Sequence, residues 1–264
     1  PAALPNAWLE RSVVEAFSEY TSIIAKAFGD RVNDWVTINE PWCASFLGYK
    51  IGIHAPGEKE PYKAFLAAHH LLMAHGQAVA ILKSESRKAR VGIALNLSPF
   101  YPLTNSPADL EAVRYGDGEL ARWFLDPLYS LGYPLDIRQD LQKAGVFKTI
   151  DPDFIHPGDM EIIGTPTDFV AVNYYSRNIV QANPLQPENA TTYEHASIPN
   201  VERTEIGWEV YPQGLYEILS RVHQDYNPKE IIITENGASY GDEPGVDGCV
   251  HDQRRINYLQ SHLQ

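Results

Sequence analysis

The apolar residues along the chain fall partly into helical periodicity and partly into short continuous runs. From Ser12 to Phe28 they recur at helical spacing, Ser12 and Glu15 have the spacing of a capping box, and Gly29 stands where a helix would end. This pattern predicts an amphipathic helix. Further helices are predicted from Pro61 to about Lys83, from Pro107 to about Ala144 with breaks at Gly116, Gly118 and Pro134, and from about Pro212 to Tyr226.

Four short apolar runs separate these helices. They read DWVTINEP from residue 34, RVGIALNLSP from 90, TDFVAVNYYS from 167 and EIIITENG from 230. Each run is too short for a helix, so we expect four buried strands. Buried strands that alternate with helices predict parallel βαβ units in a sheet covered on both faces. A stretch rich in Pro, Asn and Thr, from about Asn178 to Arg203, predicts a long loop.

Each apolar run becomes polar at its C-terminal end. The polar residues there are Asn39 and Glu40, Asn96, Asn173 to Tyr175, and Glu235 and Asn236. In a (β/α)8 barrel all these ends point to one mouth, which is the catalytic face. An open doubly wound sheet would also gather ligands there, but it usually carries a Gly-rich first turn, and none follows these strands. We therefore predict an α/β fold, a (β/α)8 TIM barrel present as an incomplete segment of about four parallel strands and their helices.

Composition narrows the classes of partner. The 264 residues include 21 basic and 34 acidic side chains, giving a formal net charge of -13, which argues against nucleic acid and anionic membranes as partners. No apolar run approaches the roughly 20 residues that span a bilayer. The two cysteines, Cys43 and Cys249, do not make a disulfide framework, so a reducing, cytoplasmic location is expected. The oligomeric state stays open.

Two of the strand ends carry a carboxylate, Glu40 and Glu235. A lone Glu at a strand end is more often an ion-pair partner or a helix cap. Two of them, each beside an Asn and each ending an apolar strand, favour catalysis instead. Hydrolysis of a glycosidic bond needs one group that protonates the leaving oxygen and one that attacks or stabilises the anomeric carbon, and a facing pair of carboxyl groups meets that need.

Four segments carry a resemblance to a known family. WVTINEPW, NYYS, GWEVYPQGL and IIITENG resemble the signature segments of the family 1 glycoside hydrolases, the β-glucosidase family, in the family's order. The likeness spans essentially the whole chain. It implies a retaining β-glycosidase that hydrolyses β-glucosides and related small β-glycosides by double displacement, with no cofactor and no metal.

The resemblance also implies roles for single residues. Glu40 would be the acid/base and Glu235 the nucleophile, with Tyr175 donating its hydroxyl to the nucleophile. Asn39 would bind the sugar 2-hydroxyl, Asn173 would face the cleft, and Trp208 would form an aromatic wall for the leaving group.

The family's strands 1 to 3 and strand 8 find no counterpart in this sequence. The resemblance therefore implies that residues 1 to 264 form a single partial catalytic barrel domain whose missing strands would precede Pro1 and follow Gln264. Such a segment would leave the strands of Glu40 and Glu235 at the edges of the sheet, and alone it would be inactive. The glycone, whether gluco, galacto, fuco or 6-phospho, cannot be read from this sequence because strand 8 discriminates among them.

Two other functional classes stay open at this point. A non-catalytic relative would use the same cleft to bind a carbohydrate or a protein, and a retaining endo-glycanase of a neighbouring barrel family would act on polysaccharide chains. A zinc site among His69, His70 and His75 is not favoured, because the helix lacks the spacing and the Glu of a zinc-protease motif. Trp35, Trp123 and Phe124 are expected in the core.

Overall fold

A computed structural model describes residues 6–264 of the chain. Its helices are α1 (Ser12–Phe28), α2 (Pro61–Glu85), α3 (Pro107–Asp117), α4 (Trp123–Leu128), α5 (Leu135–Lys143), α6 (Asp159–Ile163), α7 (Pro212–Tyr226) and α8 (Gln253–His262). Its strands are β1 (Asp34–Asn39), β2 (Arg90–Asn96), β3 (Phe100–Pro102), β4 (Phe169–Asn173), β5 (Asn178–Gln181), β6 (Glu194–His195) and β7 (Ile231–Glu235).

The chain divides into two compact units. The first unit contains the residues up to Asn96 together with Gly118–Ala171 and Pro228–Ile232. The second unit contains Leu97–Asp117, Val172–Asn227 and Ile233–Gln264. Whether the whole chain acts as one catalytic domain stays a prediction.

The main sheet has the strand order β1-β2-β4-β7. β1 pairs with β2 in parallel, from Asp34 opposite Arg90 to Asn39 opposite Ala94. Strands alternate with helices, so the predicted (β/α) arrangement is confirmed, and residues 6–264 do not close into a barrel. The expectation that β1 and β7 lie at the edges of the sheet is also confirmed.

Burial differs between the inner and outer strands. β4 is buried throughout and β2 through its five central residues, as predicted. The prediction of full burial is wrong for β1 and β7, where Val36 is 41% and Ile233 38% exposed. Both strands lie at the ends of the strand order, so a neighbouring strand covers each on one side only. Trp123 and Phe124 are buried as expected, whereas Trp35 is only partly buried.

Helix α1 has the predicted bounds but a different N-terminus. The amide of Gly29 donates to the carbonyl of Ala25 at 2.8 Å and ends the helix. The predicted capping box does not form, because Arg11 occupies the N-cap position in helical conformation and no side chain caps the helix. Arg11 instead binds the buried carboxylate of Asp159.

The predicted helix break at Gly116 and Gly118 is wrong. A π-helical turn, Gly118–Arg122, carries the chain from α3 directly into α4. The two glycines serve close packing, since a Cβ at Gly116 would overlap the ring of Phe100 and one at Gly118 would overlap Ile137. At these two positions glycine therefore allows a neighbouring side chain to pack against the helix backbone, and it does not form a turn.

Two short strands of a second, three-stranded sheet, β5 and β6, lie within the predicted loop from 178 to 203. The order of this sheet is β3-β5-β6, with β3 parallel to β5 and β6 antiparallel to it. These strands have two to four residues each. Such lengths are too short to show an alternating pattern in the sequence, which explains why they were not predicted.

Helix α2 is long and apolar enough to cross a membrane by length and composition, so the expectation that no segment meets that criterion is wrong. However, 78% of its apolar stretch is buried within the protein, as in a core helix.

The three histidines of α2 are also buried. His69 contacts the carboxylate of Asp159 at 3.0 Å and the hydroxyl of Tyr133 at 2.9 Å, and burial lowers the pKa of His69 to about 4. Among the described residues, no group of His, Cys, Asp and Glu is arranged to hold a metal ion.

Candidate active site

Asn39 and Glu40 stand at the C-terminal end of β1, in the first unit. The amide of Glu40 donates to the carbonyl of Ala94 at 2.8 Å, which continues the pairing with β2 by one residue. Glu40 then adopts a left-handed backbone with φ of 48°. This conformation is uncommon for a residue with a side chain, and such strained residues cluster at functional sites. It turns the chain out of the strand at Pro41, where the next helical segment begins.

The chain after Glu40 holds its carboxylate. Cys43 lies in a π-helical turn, Cys43–Leu47, and its thiol donates to Oε2 of Glu40 at 3.2 Å. π-Helical turns are frequent at functional sites. Asn39 is exposed and Glu40 half-buried, so both side chains are placed to meet a ligand from solvent. Sequence reasoning did not identify Cys43, although its position three residues after Glu40 on a helical segment was a signal for contact.

The other predicted site residues lie in the second unit. Tyr175 donates its hydroxyl to Oε2 of Glu235, which is the contact that the resemblance implied. The backbone supports this pairing, because the amide of Tyr174 donates to the carbonyl of Glu235 at 3.0 Å. The structure therefore brings the proposed nucleophile and its hydroxyl partner together, although they are 60 residues apart in the sequence.

Asn173 is buried, with 1% of its surface exposed. Its side-chain oxygen accepts a hydrogen bond from the hydroxyl of Thr234 at 2.6 Å, so the amide links β4 to β7 next to Glu235. Its role in binding substrate stays a prediction.

Trp208 stands beside this pair. Its ring lies 5.2 Å from the ring of Tyr175, measured between centroids, and it is 45% exposed. A half-exposed indole is suited to contact the apolar face of a sugar or an aryl group. The position is therefore compatible with the aromatic wall that the resemblance implied.

A short hairpin presents Trp208. Arg203 and Glu209 form an isolated antiparallel bridge. Inside it, the amide of Thr204 donates to the carbonyl of Trp208 at 2.8 Å, and the hydroxyl of Thr204 accepts from the amide of Trp208 at 3.2 Å. Gly207, with φ of 86°, makes the turn that places Trp208 at this point.

An ion pair anchors this hairpin to the segment that follows β4. Nε and Nη2 of Arg177 donate to the two carboxylate oxygens of Glu209 at 3.1 and 2.8 Å. The guanidinium carbon of Arg177 also lies 3.9 Å from the ring centroid of Tyr211 and 5.1 Å from that of Tyr101. Sequence reasoning missed the pair. The only signal in the sequence was that each charged residue lies beside aromatic residues, Arg177 in YYSR and Glu209 in GWEVY.

Comparison with known proteins shows the family of the chain. The model of Glycosyl hydrolase family 1 matches residues 1–264. The chain is 37% identical to beta-glucosidase A of Thermotoga maritima over 98% of its own length, and 37% identical to beta-glucosidase A of Acetivibrio thermocellus over 97%. It spans 56% of the length of each of these two relatives.

The solved structures include a beta-glucosidase from Exiguobacterium marinum that is 40% identical to the chain. It matches with a TM-score of 0.89, over 97% of this chain and 57% of that one. The fold of these relatives is the (β/α)8 barrel, as predicted from the strand ends. The matched family model, which covers the chain from end to end, shows that the chain belongs to glycosyl hydrolase family 1.

Proposed function

We propose that the full-length protein is a retaining β-glycosidase that hydrolyses β-glucosides and related small β-glycosides. Membership of the family and the names of the relatives, which are beta-glucosidases, support this activity. The chain spans 56% of those relatives, so the proposal concerns the full-length protein.

The hydrogen bond from Tyr175 to Glu235 is the observation that carries the proposal. A hydroxyl donated to one carboxylate oxygen stabilises negative charge and fixes the plane of the carboxylate. Oε2 is the oxygen so held, and we propose that the other oxygen, Oε1, attacks the anomeric carbon. A positioned, ionised carboxylate is what the nucleophile of a retaining glycosidase requires.

Glu40 is proposed as the acid/base. In the first step Glu235 attacks the anomeric carbon while Glu40 gives its proton to the departing oxygen, which leaves a glycosyl-enzyme ester and the free aglycone. In the second step Glu40 takes a proton from water, and the water displaces Glu235. Two inversions retain the configuration, and the mechanism requires a carboxyl separation of about 5 to 5.5 Å.

Three further assignments belong to the same proposal. Asn39 would bind the sugar 2-hydroxyl, Asn173 would contribute to the same binding site, and Trp208 would contact the aglycone. A small β-glycoside is the proposed partner. A cytoplasmic location is also proposed, with support from Cys43 and Cys249, neither of which is in a disulfide in the described part of the chain.

The test compares alanine variants of the two carboxylates in the full-length protein. With a dinitrophenyl β-glucoside, Glu235→Ala should lower kcat by at least about 10³-fold, and azide should restore turnover to give the α-glycosyl azide. Glu40→Ala should lower the rate less with this good leaving group than with an alkyl glucoside, and azide should give the β-glycosyl azide.

Glu230→Ala is the matched control. Glu230 stands just before β7, at the strand end opposite Glu235, and it pairs with Arg90 at an exposed position. This variant should retain full activity. Full hydrolysis by Glu235→Ala would refute the assignment of the nucleophile, and absence of hydrolysis by the unaltered protein on a panel of aryl β-glycosides would favour a binding-only relative.

A further inference from the structure

Tyr258, on helix α8, contacts both segments that carry the proposed nucleophile and its hydroxyl partner. It is only 2% exposed, and the reaction proposed above gives it no role. The sequence shows Tyr258 as one residue of the helical pattern RRINYLQSHL and gives no sign of these contacts. Its position in the fold, by contrast, connects α8 to the ends of β4 and β7.

Three hydrogen bonds make this connection. The hydroxyl of Tyr258 donates to the carbonyl of Tyr175 at 3.1 Å. The side-chain amide of Asn236, the residue after Glu235, donates to the hydroxyl of Tyr258 at 3.2 Å and to the carbonyl of Tyr174 at 2.9 Å. One phenol oxygen is therefore bonded to the backbone of Tyr175 and to the neighbour of Glu235.

The ring and the backbone of Tyr258 also contact His262. The ring stacks on His262 with ring centroids 3.8 Å apart and an interplanar angle of 24°. Nδ1 of His262 donates to the carbonyl of Tyr258 at 2.8 Å. Burial raises the pKa of Tyr258 to about 12, so the phenol stays protonated and keeps its donor function at assay pH.

We infer that Tyr258 is a positioning residue for the nucleophile. Its hydroxyl fixes the backbone of Tyr175 and the side chain of Asn236, and thereby sets the direction in which Glu235 receives the Tyr175 hydroxyl. The inference rests on the proposed function, because it assumes that Glu235 attacks the sugar. Displacements of about 1 Å at a reacting group cost up to about 10²-fold in rate, so a lost backbone anchor is expected to act on kcat.

Tyr258→Phe tests the inference because it removes one oxygen and keeps the ring. In the full-length protein, kcat on an aryl β-glucoside should fall about tenfold, and KM should stay within about twofold, since Tyr258 does not touch substrate. Inactivation by a dinitrophenyl 2-deoxy-2-fluoro-β-glucoside should slow by a similar factor, because this reagent reports the attack by Glu235. The dinitrophenolate released at saturation counts the active sites and separates slower chemistry from unfolding.

Tyr240→Phe is the matched control. Tyr240 is also buried, at 5% exposure, in the same unit, but its hydroxyl donates to the side chain of Glu202 at 3.2 Å. This variant removes a phenol oxygen from a side chain of similar overall exposure and should leave kcat unchanged. The melting temperatures of both variants show how much stability each hydroxyl contributes.

Asn236→Ala provides a second, independent measurement. It removes the other side of the same network, so it should lower kcat in the same way, and the double variant with Tyr258→Phe should lose less than the product of the two single losses. A kcat per active site equal to that of the unaltered protein in Tyr258→Phe would overturn the inference, as would independent effects in the double variant. Undiminished activity of Glu235→Ala would instead refute the proposed function, so the two failures are distinguishable.

Discussion

Replacement of Arg177 by Met should destabilise the second unit more than any surface charge change. The side chains of Arg177 and Glu209 are only 14% and 8% exposed, and they share two hydrogen bonds. In Arg177→Met the carboxylate of Glu209 stays buried without its cation. Leaving one member of a buried ion pair uncompensated costs about 3 to 5 kcal/mol.

We expect the lower end of that range. Met refills part of the space over the ring of Tyr211, which the guanidinium now covers. A loss of about 3 kcal/mol corresponds to a fall in Tm of roughly 3 to 5 °C in the full-length protein, because the entropy of unfolding grows with the number of residues that unfold together. Glu209→Gln should cost less, because the amide keeps the shape and one acceptor, and the cation of Arg177 keeps its contact with two aromatic rings.

The assay is thermal unfolding of the full-length protein, followed by the fluorescence of tryptophan. Arg31→Met serves as the control, because Arg31 and Asp30 form an ion pair in which both side chains are about two-thirds exposed or more. Removing such a pair should change stability by less than about 1 kcal/mol.

The double variant decides the physical cause. If the cost in Arg177→Met comes from the uncompensated carboxylate, then adding Glu209→Gln to it should restore part of the lost stability, since no buried charge remains. Additive destabilisation in the double variant would refute the reasoning, and so would a Tm of Arg177→Met within about 2 °C of the unaltered protein.

Three other predictions follow from single sites. Gly116→Ala should lower stability by about 1 to 3 kcal/mol despite the better helix propensity of Ala, because its Cβ overlaps the ring of Phe100; chemical denaturation measures this. Burial lowers the pKa of His75 from 6.5 to about 3, so the unfolded state binds more protons below about pH 6.5. Stability should therefore fall as the pH drops from 6.5 towards 3, by at most about 1.4 kcal/mol per pH unit from this group, and denaturation of His75→Gln at pH 7 and pH 5 should show a smaller loss. Cys43→Ala should lower kcat/KM on an aryl β-glucoside by less than about threefold, because a thiol is a weak donor to Glu40; a loss above tenfold would contradict this reading of the contact.

The elements with a strong period were predictable from the sequence. α1 and α7 have the predicted first and last residues, and β2 and β4 are buried as their apolar runs indicate. The hydrophobic effect buries whole faces of helices and strands. A periodic pattern of ten or more residues, or a continuous apolar run, therefore predicts the type of element and its burial.

The exposure of β1 was not predictable from its own residues. Its apolar run is similar to that of a central strand, and burial depends on the order of strands in the sheet, which lies outside the run. The same holds for Gly116 and Gly118, because the sequence does not show which side chain approaches each glycine.

In the candidate site, too, some residues could be predicted from the sequence and others could not. Glu40 and Glu235 could be found because each interrupts an apolar pattern at its end. Arg177 and Glu209 could not be paired, because charged residues are common in loops and these two are 32 residues apart. Tyr258 was also missed, since a Tyr on the buried face of a helix is usually a packing residue and only the hydrogen bonds reveal its contacts.

The apolar character of α2 has a consequence for synthesis of the chain. α2 packs against α1, which leaves the ribosome earlier, and against α6, which follows roughly 70 residues later. At about 5 to 20 residues per second, the face that α6 will cover stays uncovered for roughly 4 to 15 seconds. During this interval part of the apolar surface of α2 has no partner from α6, so the packing around α2 is completed only after α6 has been synthesised.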